Sequence, residues 1–112
     1  MNAVARYRLK DRRRSENIRL TWSNTAWMLT VGFDEQCFAR EIFADGSKVG
    51  SEMEALLDDA CIIVSLALQS GWQIQELVNR LSREATDPAS PAASILGLLV
   101  KVAAQAEAEM RA

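Results

Sequence analysis

Polar and apolar positions alternate along the first third of the chain and then change period. From Glu16, the residues Ile18, Leu20 and Trp22 fall on one face and Arg19 and Thr21 on the other. Ser23-Asn24-Thr25-Ala26 has turn composition, and Trp27, Leu29, Val31 and Phe33 then alternate with Met28, Thr30 and Gly32. Asp34-Glu35-Gln36 makes a second tight connection. Phe38 to Phe43 reads as a third strand with apolar residues on both faces, ended by Asp45-Gly46. Three consecutive strands with short links predict an antiparallel meander.

From Ser51 the period becomes helical. Met53, Leu56, Leu57, Ala60, Cys61, Ile63, Val64, Ala67 and Leu68 cover a wide face, and the second half of the segment is apolar nearly all round. That pattern predicts a central, buried helix, with Gly71 as its C-terminal glycine. Ile74, Leu77, Val78 and Leu81 mark a second helix over 73–83. After a polar loop, Glu84 to Ala89, the pair Ser90-Pro91 signals the start of a third helix, with serine as cap and proline in the first turn. That helix carries Ile95, Leu98, Leu99 and Val102; Gly97 within it permits close packing, and the alanine- and glutamate-rich end from Ala103 is expected to fray. Strands followed by helices predict an α+β fold: a three-stranded antiparallel meander and three helices packed on one of its faces. Trp22 and Trp27 flank the first turn; on an open face they would form an apolar patch that asks for a partner.

The 112 residues suit one domain, 16–112, preceded by an arm, 1–15. A net charge of −2 conceals an asymmetry. Residues 1–14 hold six basic residues against Asp11, a balance of +5, and the remainder holds seven basic and fourteen acidic residues, a balance of −7. No apolar run approaches the roughly 20 residues of a membrane span. No secretory signal is visible, and two lone cysteines, Cys37 and Cys61, fit a reducing cytoplasm better than a disulfide framework, although a bridge between them is open on spacing. With no histidine, the commonest general base and metal ligand is missing, so no catalytic residue, metal or cofactor is expected.

Two segments carry candidate chemistry. Gly46-Ser47-Lys48-Val49-Gly50-Ser51 precedes a helix, and Lys48, Gly50 and Ser51 could cradle an anion or phosphate with backbone amides and a cation. Lys48 precedes Gly50, so the nucleotide-binding pattern GxxxxGK[ST] is not met. The competing use is a capping box, in which Ser51 accepts from the amide of Glu54 and Glu54 reaches back. Glu52, Glu54, Asp58 and Asp59 nearby would repel phosphate; as an acidic group they read as a solvated helix face before a magnesium site. The second segment is the arm. Arg8, Lys10, Arg12, Arg13 and Arg14 could grip a nucleic-acid backbone, or the arm lies solvated or on the acidic body. Cys61, without a base nearby, reads as an inert structural thiol.

The order of these pieces resembles a known family. Arg12-Arg13-Arg14, Thr30-Val31-Gly32, Glu41-Ile42-Phe43, Lys48-x-Gly50-Ser51, Asp59-Ala60 and Ser65-Leu66-Ala67-Leu68-Gln69-x-Gly71 are similar in order and spacing to the TSCPD domain. That domain is found at the C-terminal end of adenosylcobalamin-dependent (class II) ribonucleotide reductases and in small stand-alone bacterial proteins, whose C-terminal part Ser90-Pro91 and the following helix resemble. The Thr-Ser-Cys-Pro-Asp motif that names the family is absent, so no redox or metal role for its cysteine carries over. The resemblance implies an accessory module linked to ribonucleotide reduction and deoxyribonucleotide metabolism, with no catalysis by this chain alone. It would self-associate as a homodimer or higher oligomer through its sheet or long helix, and dock on a reductase or another larger protein. Two further readings stand beside it: a nucleic-acid-binding protein using the arm, and a nucleotide sensor at Lys48–Ser51.

Overall fold

The computed structural model describes residues 13–46, 51–81 and 92–112. Three strands come first: β1 (Ser15–Trp22), β2 (Thr25–Phe33) and β3 (Ala39–Gly46). Three helices follow: α1 (Glu52–Gln69), α2 (Ile74–Arg80) and α3 (Ile95–Arg111). The sheet is an antiparallel meander in the order β1-β2-β3. The expected fold class and strand order are those observed.

The first hairpin is tighter than its turn composition suggests. Only Ser23 and Asn24 leave the ladder, both with positive φ (50° and 61°), and Trp22 pairs with Thr25. Two consecutive left-handed residues match the right-handed twist of the flanking strands, and asparagine tolerates that conformation well. The alternating residues sort as expected. Trp27, Leu29, Val31 and Phe33 enter the core, with Ile18, Leu20 and Trp22 of β1 half-buried beside them. Neither tryptophan of the turn lies on the open face. The phase of β3 is settled by Ile42 and Ala44, which point into the core, while Phe43 stands exposed.

The opposite face carries Asn17 and Thr30, joined by a 2.8 Å side-chain hydrogen bond across the β1–β2 pair. Gly32 is needed on that face. A Cβ there would collide with the side chain of Glu41, which folds across β2 to meet Arg13.

Three sequence expectations are corrected. α1 is not buried all round: Leu57, Cys61, Val64 and Leu68 enter the core, but Met53, Leu56, Ile62, Ile63 and Leu66 remain exposed. The helix packs chiefly on β3, at the margin of the sheet, and among the described residues only one of its sides is covered. α3 begins at Ile95, capped by Ser94, whose Oγ accepts from the amide of Gly97 at 3.1 Å. The polar loop and the Ser90-Pro91 signal lie outside the described residues. Finally, α3 does not fray after Ala103: Ala103 and Ala106 are buried, and the helix is pinned at its end by Glu107 and Arg111. Gly97 is buried, as close packing requires.

Candidate functional site

An edge strand presents unpaired amides and carbonyls to water or to another chain. β3 has such an edge, and α1 covers it with a row of polar side chains. Ser65 Oγ accepts from the amide of Ile42 at 3.0 Å and donates to its carbonyl at 3.2 Å. One helical turn on, Gln69 Nε2 donates to the carbonyl of Arg40 at 3.2 Å. One turn back, the Cys61 thiol faces the backbone of Ala44. Residues 61, 65 and 69 fall at i, i+4 and i+8, on one line along the helix. They meet 44, 42 and 40, the alternate residues of a strand whose backbone groups point to one side. The three side chains are buried. Burial pushes the Cys61 thiol up to about 11, the charge of Asp58 adds to this, and the backbone of Ala44 opposes both. The thiol therefore stays protonated near neutrality and is a poor nucleophile, as expected of a structural cysteine.

The far end of this seam is held by ionic contacts. Arg40 Nε meets Asp34 Oδ2 at 2.9 Å, and its Nη1 donates to the carbonyls of Leu68 (2.8 Å) and Trp72 (3.3 Å), at the end of α1 and just past it. α1 has no basic residue in its own last turn, so Arg40 supplies the cation that a helix C-terminus favours. Asp34 Oδ1 accepts from the amides of Gln36 (2.9 Å) and Phe38 (3.0 Å) and so shapes the β2–β3 loop. That loop holds Cys37 at φ 69°. Two guanidinium groups lie over the Phe38 ring, Arg111 at 3.8 Å and Arg40 at 5.4 Å from its centre. Arg111 Nη1 also donates to the carbonyl of Gln36 at 2.6 Å, and Glu107 Oε2 accepts from the amide of Ala39 at 2.7 Å.

At the other end of α1, Ser51 is the N-cap and its Oγ accepts from the amide of Glu54 at 3.1 Å. Glu54 does not return the bond. Its Oε2 is buried without a partner, as is Trp27 Nε1 in the core, so the expected capping box is half formed. The reciprocal bond is made instead at α2, where the amide of Gln73 donates to Glu76 Oε1 at 3.0 Å. Of the anion candidates, Lys48 and Gly50 lie outside the described residues, as do Arg8, Lys10 and Arg12 of the arm. The described part of the arm is turned onto the protein's own body. Arg13 Nε pairs with Glu41 Oε1 at 2.6 Å, and Arg14 Nη1 lies 3.7 Å from Cys37 Sγ and 3.8 Å from Met110 Sδ.

Sequence reasoning missed Asp34, Arg40, Ser65 and Gln69 as structural anchors. Their signal was present: Ser65 and Gln69 are polar residues one turn apart within the most apolar stretch. Among the described residues no group of three or more His, Cys, Asp or Glu side chains is arranged to hold a metal ion. None of the described helices is long and apolar enough to cross a membrane. The two free cysteines are not bridged.

What remains is the outer side of α1. Leu56 is 70% exposed and Ile63 67%, with Met53, Ile62 and Leu66 around them and the exposed Trp72 just beyond the helix end. Arg80 stacks on that ring at 5.6 Å.

These features define a small α+β domain whose buried polar residues Asp34, Glu41, Ser65 and Gln69 serve its own frame, and whose long helix exposes large apolar residues on one side. The chain belongs to the TSCPD domain family, whose model matches residues 5–106. No curated protein and no solved structure matches it.

Proposed function

We propose that this chain is a non-catalytic accessory module of ribonucleotide reduction, acting by contact with a larger protein of the reductase type and with itself. Membership of the TSCPD family supports the link to reductases. The observation that carries the interaction role is the apolar outer side of α1. Single exposed leucines need no explanation, but an exposed row of large apolar side chains marks a surface made for association. The polar inner row is already consumed by the edge of β3, so the helix cannot roll to hide the outer one without unpairing Ile42 and Arg40.

The reading is tested with purified proteins. The full chain is mixed with the adenosylcobalamin-dependent reductase of the same cell and followed by sedimentation velocity. A complex at micromolar concentration is expected. Absence of any complex at about 100 µM, near the −5.5 kcal/mol limit of useful affinity, overturns the reductase assignment.

A further inference from the structure

We infer that Glu41 is a latch: it holds the basic arm to the open face of the sheet by Arg13, and it withholds that arginine from a nucleic-acid backbone. The latch lies on the sheet, apart from α1, and acts whether or not the chain meets a reductase.

Three strands build it. Ser15, Gly32 and Glu41 stand side by side across β1, β2 and β3, and Arg13, two residues before Ser15, reaches the same row. Residue 32 has no side chain, and Glu41 fills the space: a Cβ there would collide with its Oε1, Cγ and Cδ. The carboxylate therefore crosses β2 and meets Arg13 Nε at 2.6 Å. One residue on, the backbone adds a second hold, where the amide of Phe33 donates to the carbonyl of Arg14 at 2.9 Å.

The two partners are unequal. The Arg13 side chain is 31% exposed and that of Glu41 11%, so water reaches the guanidinium but hardly the carboxylate. An arginine that leaves is hydrated or finds a phosphate. The carboxylate it leaves becomes a buried charge without a counter-ion, and losing one partner of such a pair is costly. Release of the arm is thus opposed by Glu41. Of the buried polar residues Asp34, Glu41, Ser65 and Gln69, it is Glu41 whose partner comes from the arm.

Charge names the ligand class. Residues 1–14 carry a balance of +5, and clustered arginines bind a phosphate backbone by releasing its counter-ions. Such a backbone has to compete with Glu41 for Arg13, so the arm grips less strongly than its charge allows.

Trypsin reads the latch directly. It takes an arginine side chain into an aspartate-lined pocket, so cleavage after Arg13 requires that Arg13 leave Glu41. Glu41→Gln keeps the shape, removes the charge and is expected to speed this cut at least tenfold. Gly32→Ala leaves both charges in place, fills the slot and is expected to speed it too, with an unchanged circular dichroism spectrum. Asp45→Asn removes an equal charge from an exposed position of β3 and is expected to leave the rate as it was. Binding of the full chain to fluorescent oligothymidylate is then titrated over a range of salt. In Glu41→Gln the affinity is expected to rise, and the slope of log K against log salt to steepen by about 0.7, one further phosphate contact. Arg13→Gln is expected to cancel that gain in the Glu41→Gln background and to change binding little by itself. Cleavage after Arg13 as fast in the wild type as in Glu41→Gln overturns the latch. Equal oligothymidylate binding by the wild type and Glu41→Gln, whether measurable or absent, or an equal gain in Asp45→Asn, overturns the withholding.

Discussion

The two sides of helix α1 are less sorted than the usual rule requires. The buried side mixes Ser65 and Gln69 with Leu57, Cys61, Val64 and Leu68, and the exposed side carries Leu56, Ile62, Ile63 and Leu66 beside Glu52, Asp58 and Asp59. Hydrophobic burial alone decides weakly between them. What fixes the rotation of the helix is the free edge of β3. A buried amide or carbonyl without a partner costs about 1–3 kcal/mol, comparable to what one large side chain gains by leaving water. Ser65 and Gln69 answer three such groups together, while the apolar inner residues Leu57, Val64 and Leu68 still reach the core. The helix serves as a cap on the sheet, and its apolar outer side is left for something else.

The contrast breaks most severely at Arg40, which locks the end of the seam. Arg40→Ala removes the partner of a buried carboxylate and the cation at the end of α1. Breaking a buried pair from one side leaves the other charge uncompensated, so a loss of about 3 kcal/mol in urea unfolding is expected. The two remaining amide donors to Asp34 hold the figure at the lower end of the range. Ser65→Ala follows, at about 2 kcal/mol, because it strips both the amide and the carbonyl of Ile42 of their partner while changing volume little. If Ser65→Ala proves neutral in the same measurement, water reaches the edge of β3 and the inner row is not what orients the helix.

How far this was legible in the sequence follows from the same contrast. The sheet could be read because Ile18, Leu20 and Trp22, then Trp27, Leu29, Val31 and Phe33, alternate with polar residues, and a strand with one dry face has a single phase. α1 could be read as a helix, but not for which side faces in. Apolar residues nearly surround its second half, and Ser65 and Gln69, taken alone, look like the solvent side. Their role is set by Ile42 and Arg40, 23 and 29 residues away in sequence, and no local pattern encodes that contact. The start of α3 was misplaced for a simpler reason: Ser90-Pro91 and Ser94 are both serine caps by composition, and only packing chooses between them. For the candidate anion site, the sequence offered Ser51 two roles, and the structure shows its hydroxyl engaged with the amide of Glu54.

A smaller effect sharpens the comparison at the start of the helix. Ser51→Ala leaves one first-turn amide without its side-chain acceptor, so a loss of about 1 kcal/mol is expected, read as a lower midpoint in thermal unfolding. Glu54 does not return the bond, so changing Glu54 to Gln should cost less than changing Ser51.

The smallest effect belongs to the outer side. In the isolated chain, Ile63→Ser and Leu56→Ser touch residues that are mostly in water already, so each should shift folding stability by no more than about 0.5 kcal/mol at concentrations where the chain is monomeric. The same substitution at Leu57, one position along and on the inner side, would cost several times more, since Leu57 is buried in the core. If Leu56→Ser and Leu57→Ser destabilise equally in dilute solution, the outer side is already packed within one chain and the contrast between the two sides is not real. If they differ as expected, while Leu56→Ser becomes costly only as concentration rises, the stability contributed by the outer row comes from association, and mass action rather than folding maintains it.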